Sequence, residues 1–392
     1  MMPQTDSCTD FANLLTNNLK VKENYQLHEA SSHTLLVRRA DDSVATLDLR
    51  PFAGAPQPVS AGTYFAEVSS VSDLLQAYHR ARTDYCFEED MPDALANVST
   101  YAHEFLNGIL AEAQQQLTDV QARLIAAWVK HLDVYTAVKA VESLLNNKAD
   151  ITLLEIAQQR QWIVHFDHLA IRCGSRAHQD AERVVELLKT DHGYVSTQFA
   201  EEAFYQFPDG WNAYPLYKIL ENGQVLRLFV DQSDADHPSQ IIQHWNRVYG
   251  YTAHHLAIRA TTISNGRRDA VPLQELIAAL QERGIDIMTP TGEYTRGLLL
   301  QVFTRPQRHA AVPPELKARI VAIDVNLEKT IENAKLLELV SRKEMPQELV
   351  AAYFALYGIA YQPENPLHSA PVYQYFLPAQ AAHVIRTSVQ TA

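Results

Sequence analysis

The spacing of hydrophobic positions changes along this chain. Near the start, Phe11, Leu14, Leu15 and Leu19 have helical spacing, and Thr9 or Asp10 can cap the helix they predict. In residues 33–51, two β-rich runs flank Ala40-Asp41-Asp42-Ser43, which predicts a hairpin. Residues 52–62 form a Pro/Gly/Ser loop. From Val71 to about Ala157 the period turns helical, as at Leu106, Ile109, Leu110 and Ala113 and again at Ile125, Trp128, Val129, Leu132 and Tyr135. A polar break follows at residues 146–150.

Beyond residue 158 the chain reads as two modules of the order βαβββ. The first occupies 159–232: a strand over 162–173, a helix holding Ala181, Val184, Val185, Leu187 and Leu188, then strands at 194–207, 213–220 and 225–230. The last two are joined through Asn222-Gly223, a hairpin signal. The second module occupies 233–392. It has a strand over 249–260, a loop at Asn265-Gly266, a helix over 272–283 ended by Gly284, and strands at 285–294 and 297–304. A mainly helical insertion is expected over about 306–369, with the displaced fourth strand at Ala370–Leu377. The expected class is α+β: paired βαβββ modules, a mainly helical N-terminal region (1–158) with a small hairpin, and a helical insertion in the second module.

One pentapeptide supports the duplication. His-Leu-Ala-Ile-Arg runs from His168 to Arg172 and again from His255 to Arg259, an offset of 255 − 168 = 87 residues. Side chains alternate along a strand, so His168, Ala170 and Arg172 share a face, as do His255, Ala257 and Arg259. If the modules pair about a pseudo-two-fold axis, the two imidazoles converge, which suits a metal site. The alternative is a pair of core histidines left by the duplication. His165, Asp167 and His254 are read as structural. Arg172 either clamps a carboxylate with two parallel hydrogen bonds or makes a surface ion pair. Gln301, on the face of Leu299 and Phe303, is a pocket hydrogen-bonder or a polar strand end.

Composition narrows the function classes. The chain has 392 residues, with 33 Lys and Arg against 46 Asp and Glu, hence a net charge of −13. That sign disfavours binding along a phosphate backbone, so no nucleic-acid partner is expected. Three scattered cysteines and no CxxC pattern fit a reducing, cytoplasmic location. No signal peptide and no membrane span are expected, since no apolar run reaches spanning length. The acids of Asp231–Asp236 lack the glycine and terminal glutamate of a calcium loop. Phosphate-cradle and nucleophile-elbow motifs do not occur.

Three features in combination carry a resemblance: His168 with Arg172 four residues on; Tyr249-Gly250-Tyr251 leading to His254-His255; and Leu298-Leu299-Leu300-Gln301. The chain resembles the vicinal oxygen chelate superfamily, and within it the branch of 2-oxoadipate dioxygenase/decarboxylase. The third feature is also similar to hydroxyphenylpyruvate-type dioxygenases. The resemblance covers about residues 160–378. It implies Fe(II) held by two histidines and a glutamate, with a 2-oxo acid and O2 as substrates and a shortened hydroxy acid as product. His168 and His255 take the histidine places. The glutamate falls on the last strand of the second module, where Gln374 stands, flanked by Tyr373 and Tyr375; Glu293 is the nearest other carboxylate. Two further readings stay open. One is a metal-free binding protein in which Gln374 marks a lost centre. The other is an oxygen-independent lyase or isomerase using Zn, Ni or Mn.

Overall fold

The computed structural model describes residues 26–31, 34–38, 44–48, 61–84, 116–196, 204–207, 209–220, 224–249, 253–288, 299–308, 314–323, 336–342, 351 and 360–364. The chain divides into two compact units, 1–59 and 60–392. The first holds an antiparallel sheet of β1 (Gln26–Ser31), β2 (Thr34–Arg38) and β3 (Val44–Asp48) in that order. β2 and β3 are the expected hairpin, running from Arg38↔Val44 to Thr34↔Asp48. The helix expected at residues 9–19 lies outside the described residues.

The second unit is α+β. Its helices open with α1 (Ala61–Phe65), α2 (Val71–Asp84), α3 (Asp119–Val129), α4 (Val134–Asn146) and α5 (Lys148–Arg160). Their ends follow local chemistry. Thr118 and Gln121 form a capping box at α3, Asp133 caps α4, and Asn147, in the expected polar break, caps α5. All 13 residues of α4 are buried. Its Lys139 and Glu142 are tolerated there because they pair with each other, and Glu142 also accepts from Tyr78 Oη.

The first module follows: β4 (Ile163–Ser175), α6 (Asp180–Thr190), β5 (Val195–Ser196), β6 (Tyr205–Gln206), β7 (Trp211–Ile219) and β8 (Val225–Ser233). After α7 (Gln240–Tyr249) comes the second: β9 (Ala253–Ser264), β10 (Arg267–Ala270), α8 (Leu273–Gln281), β11 (Leu299–Phe303), α9 (Pro314–Ile323) and β12 (Leu336–Arg342). Asn265-Gly266 is not a loose loop. Both residues have positive φ, 51° and 75°, and they turn β9 tightly into β10.

The strands form one sheet of order β11-β12-β9-β4-β8-β7-β5, with β10 on β9 and β6 on β7. β4 and β9 meet antiparallel at its centre, with Leu169 opposite Leu256. These leucines are themselves mates at the 87-residue offset, so the pseudo-two-fold axis passes between them. On either side the last strand of each module lies parallel to its first: β8 beside β4, β12 beside β9.

The place of the second module's fourth strand is therefore filled by Leu336–Arg342, inside the stretch expected to be helical. The run Leu336-Leu337-Glu338-Leu339-Val340 is too short and too uniformly apolar to separate a buried strand from a buried helix by its period. The expected strand at 370–377, with Gln374, lies outside the described residues, as does Glu293.

The two sheet faces have different characters. Leu169, Ile171, Cys173, Leu228, Val230, Leu256, Ile258, Leu337 and Leu339 join the helices in one large apolar core. The alternate positions carry the buried polar groups.

Candidate metal centre

Three residues converge on that second face. His168 lies opposite Ala257, His255 opposite Ala170 and Leu336, and Glu338 beside Ala257. The strand register thus sets the two histidines on a diagonal across the pseudo-axis, with Glu338 one strand away. Glu338 Oε2 lies 3.1 Å from His168 Nε2 and 3.0 Å from His255 Nε2. The ring centroids of the two histidines are 5.5 Å apart and nearly perpendicular. All three side chains are buried, and their ligating atoms lie within 4.8 Å of one another.

The alanines at 170 and 257 are part of the design. A larger side chain at the centre of this face would occupy the space between the imidazoles. Phe229 and Phe303 close the sides, packing edge-on against His168 and His255 respectively.

The donor set suits a divalent ion. Two imidazoles and one carboxylate make the facial set of non-haem iron sites, and the same atoms can bind zinc, nickel or manganese. Glu338 Oε1 is buried and makes no hydrogen bond among the described residues, an arrangement costly for a carboxylate unless a cation takes up the vacant lone pairs. His168, His255 and Glu338 could therefore hold a metal ion.

Electrostatics separate the two histidines. Burial pulls the His168 imidazole down, but the Glu338 and Asp167 carboxylates outweigh it and its pKa is raised. At His255 burial wins; Glu338 opposes it, Arg172 and His168 reinforce it, and the pKa falls to about 4. Burial would raise Glu338, yet the two histidines hold it down at about 2.

Asp167, read from the sequence as structural, lies in contact with His168. Phe166 pairs with Ile258 and His168 with Ala257, so Asp167 is an extra residue in β4 with no cross-strand partner. Strict alternation would send it to the core; this β-bulge re-aims it. Its Oδ1 lies 2.8 Å from His168 Nδ1, and its Oδ2 lies 2.9 Å from Arg259 Nε.

Arg172 is buried on the same face. It pairs with Asp231 and stacks over Trp211 and Trp245 at 5.1 and 4.5 Å. Burial lowers its pKa to about 9, against opposing fields from Glu338 and Cys173. Gln301 is also buried, opposite Val340 and two residues from Phe303, which lies opposite Glu338. The structure thus brings His168, His255, Arg172 and Gln301 to one face. Glu338 was missed, although its signal is visible: one acid inside a run of four aliphatic residues.

No family model matches the chain, and no curated protein matches it. Solved structures do, as partial likenesses. One is a variant of Streptomyces coelicolor methylmalonyl-CoA epimerase in complex with 2-nitronate-propionyl-CoA: 16% identity, TM-score 0.25, covering 45% of this chain and 96% of that one. Another is a methylmalonyl-CoA epimerase with methylmalonyl-CoA and NH4+, at 16% identity and TM-score 0.26, covering 46% and 95%. A third is a hypothetical protein from Bacillus halodurans C-125, at 14% identity and TM-score 0.26, covering 47% and 98%. The paired-module architecture is the one implied by the resemblance to the vicinal oxygen chelate superfamily; its support here is the strand order and the pseudo-axis. Among the described residues, no helix is long and apolar enough to cross a membrane.

Proposed function

We propose that this protein is a non-haem Fe(II)-dependent dioxygenase/decarboxylase acting on a 2-oxo acid. The observation that supports this most is Glu338, which completes two histidines and one carboxylate on a buried sheet face. The net reaction takes R-CH2-CO-COOH and O2 to R-CH(OH)-COOH and CO2. Bound iron would relay to O2 the electrons released by oxidation and decarboxylation of the substrate and would offer open positions for the substrate oxygens.

The chain's own residues have three tasks. His168, His255 and Glu338 hold the ion. Arg172 anchors a substrate carboxylate: its Nε makes no hydrogen bond among the described residues, and the flanking indoles fix its plane while Asp231 holds the far end. Gln301 offers a hydrogen bond to a substrate oxygen from β11. Burial of the whole set keeps water away from the reacting atoms.

The metal-free reading was motivated by a glutamine in the carboxylate's place, and Glu338 removes that motive. The oxygen-independent lyase or isomerase uses the same ligands, so oxygen uptake must separate it. The test is anaerobic Fe(II) reconstitution followed by exposure to O2 with a panel of 2-oxo acids. Expected are uptake of one O2 per CO2 released, and loss of both in His168→Ala. Turnover without oxygen uptake, or uptake that survives His168→Ala, would defeat the proposal.

A further inference from the structure

The two copies of the pentapeptide differ at the residue just before the histidine. It is Asp167 in the first and His254 in the second, again 87 residues apart. The β-bulge in β4 falls on this residue. The bulge and the aspartate together put a buried carboxylate against the ring nitrogen of His168 that faces away from Glu338.

A carboxylate only accepts hydrogen bonds. The atom 2.8 Å from Asp167 Oδ1 must therefore be a protonated Nδ1. That fixes the tautomer of neutral His168, leaving the Nε2 lone pair aimed at the ligand cluster. Asp167 is held in turn. Arg259 Nε approaches Oδ2 at 2.9 Å, Arg227 Nη1 lies 4.0 Å from the same oxygen, and Arg227 also donates to the Asp167 carbonyl at 3.4 Å. Arg259 comes from the second copy, so one half of the duplication locks a ligand supplied by the other.

We propose that Asp167 is a positioning residue for the metal centre: it holds His168 in the tautomer and orientation that bind the ion, and Arg259 holds Asp167. This rests on the metal-site reading above. It goes beyond that reading in making one of two repeat-equivalent histidines pre-oriented by a carboxylate that the other copy does not encode.

The experiment uses Co(II) alone as the probe, read by its visible d–d absorption in the full-length protein. Asp167→Asn keeps the size of the side chain and removes its charge. The dissociation constant for Co(II) should rise about 10- to 100-fold, and the absorption band should shift. A lower melting temperature of the metal-free protein with an unchanged constant and spectrum would mean that Asp167 is only structural, and would overturn the proposal. If Asp167→Asn does not fold, Arg259→Gln reads the same chain of contacts from a partly exposed position: a smaller rise is expected, and no change overturns the proposal. Failure of the wild type to bind Co(II) or Fe(II) would overturn the metal site itself, and this inference with it. Binding by the wild type that is indifferent to both variants would overturn this inference alone.

Discussion

The two βαβββ modules share a frame and differ at the site. Ala170 and Ala257 are mates across the pseudo-axis; beside Ala170 stands Phe229, and beside Ala257 stands Glu338. The same strand position thus carries a phenyl ring in one module and the carboxylate of the candidate metal site in the other. The comparison teaches that duplication supplies two converging histidines, but three-ligand coordination needs a break in symmetry. Two carboxylates would give a charge-neutral four-ligand cage with a divalent ion, whereas one carboxylate and a phenyl ring would leave such an ion with three protein ligands.

The largest effect should come from altering these two mates one at a time. Glu338→Gln should abolish stoichiometric metal uptake, while Phe229→Leu should keep about one ion per chain, as elemental analysis after Fe(II) reconstitution would record. Metal retained in Glu338→Gln would place the third ligand elsewhere in the chain. Loss in Phe229→Leu would show that the ring does more than close a wall.

The axis itself can be tested next. Leu169 and Leu256 are both fully buried and face each other between β4 and β9. Truncating either to alanine should cost about 2–5 kcal/mol in denaturant unfolding. Because the two are in register, the double variant should cost less or more than the sum, not the sum itself. Additive costs would mean that the halves do not share a packed centre.

Much of this arrangement is legible in the sequence. The repeated pentapeptide gives the two central strands, their offset and the shared histidine face, because period-two alternation in a buried strand leaves little freedom. The helices of 116–160 follow from their apolar period and polar caps. Two features escaped for physical reasons. The alternation that reveals His168 also hides Asp167, since a bulge is an exception to that rule and leaves no mark in composition. Glu338 was hidden by its neighbours, because Leu336, Leu337, Leu339 and Val340 satisfy either period. A buried acid in such a run is costly without a partner, and that cost was the available clue.

The opposed shifts of the two histidines predict the pH profile of the metal-free protein. The raised pKa of His168 contributes stability below the ordinary value of 6.5, and this is lost as pH rises through the raised value. The lowered pKa of His255 works the other way: its contribution is present above 6.5 and is lost as pH falls toward about 4. Glu338 adds to the acid side, losing its contribution from 4.5 down to about 2. Thermal melts should show a stability maximum near pH 6.5 with slopes of at most about 1.4 kcal/mol per pH unit for each proton. His168→Gln should flatten the alkaline limb and His255→Gln the limb between 6.5 and 4. Identical profiles in the two variants would mean that the copies are electrostatically equivalent.

The smallest effect comes from the way each copy leaves the sheet. In the first, β4 runs on to Ser175, whose side chain caps a short 3-10 turn leading into α6. In the second, Asn265 and Gly266 reverse the chain into β10 before α8 begins. A Cβ at Gly266 would meet nothing within 4 Å, so any cost of adding one must come from its φ of 75°. Gly266→Ala should therefore lower stability by about 1 kcal/mol, with metal uptake unchanged, since Gly266 lies eleven residues beyond His255 along the chain. A cost near zero would mean that the hairpin opens freely; a change in metal binding would mean that β10 supports the site through β9.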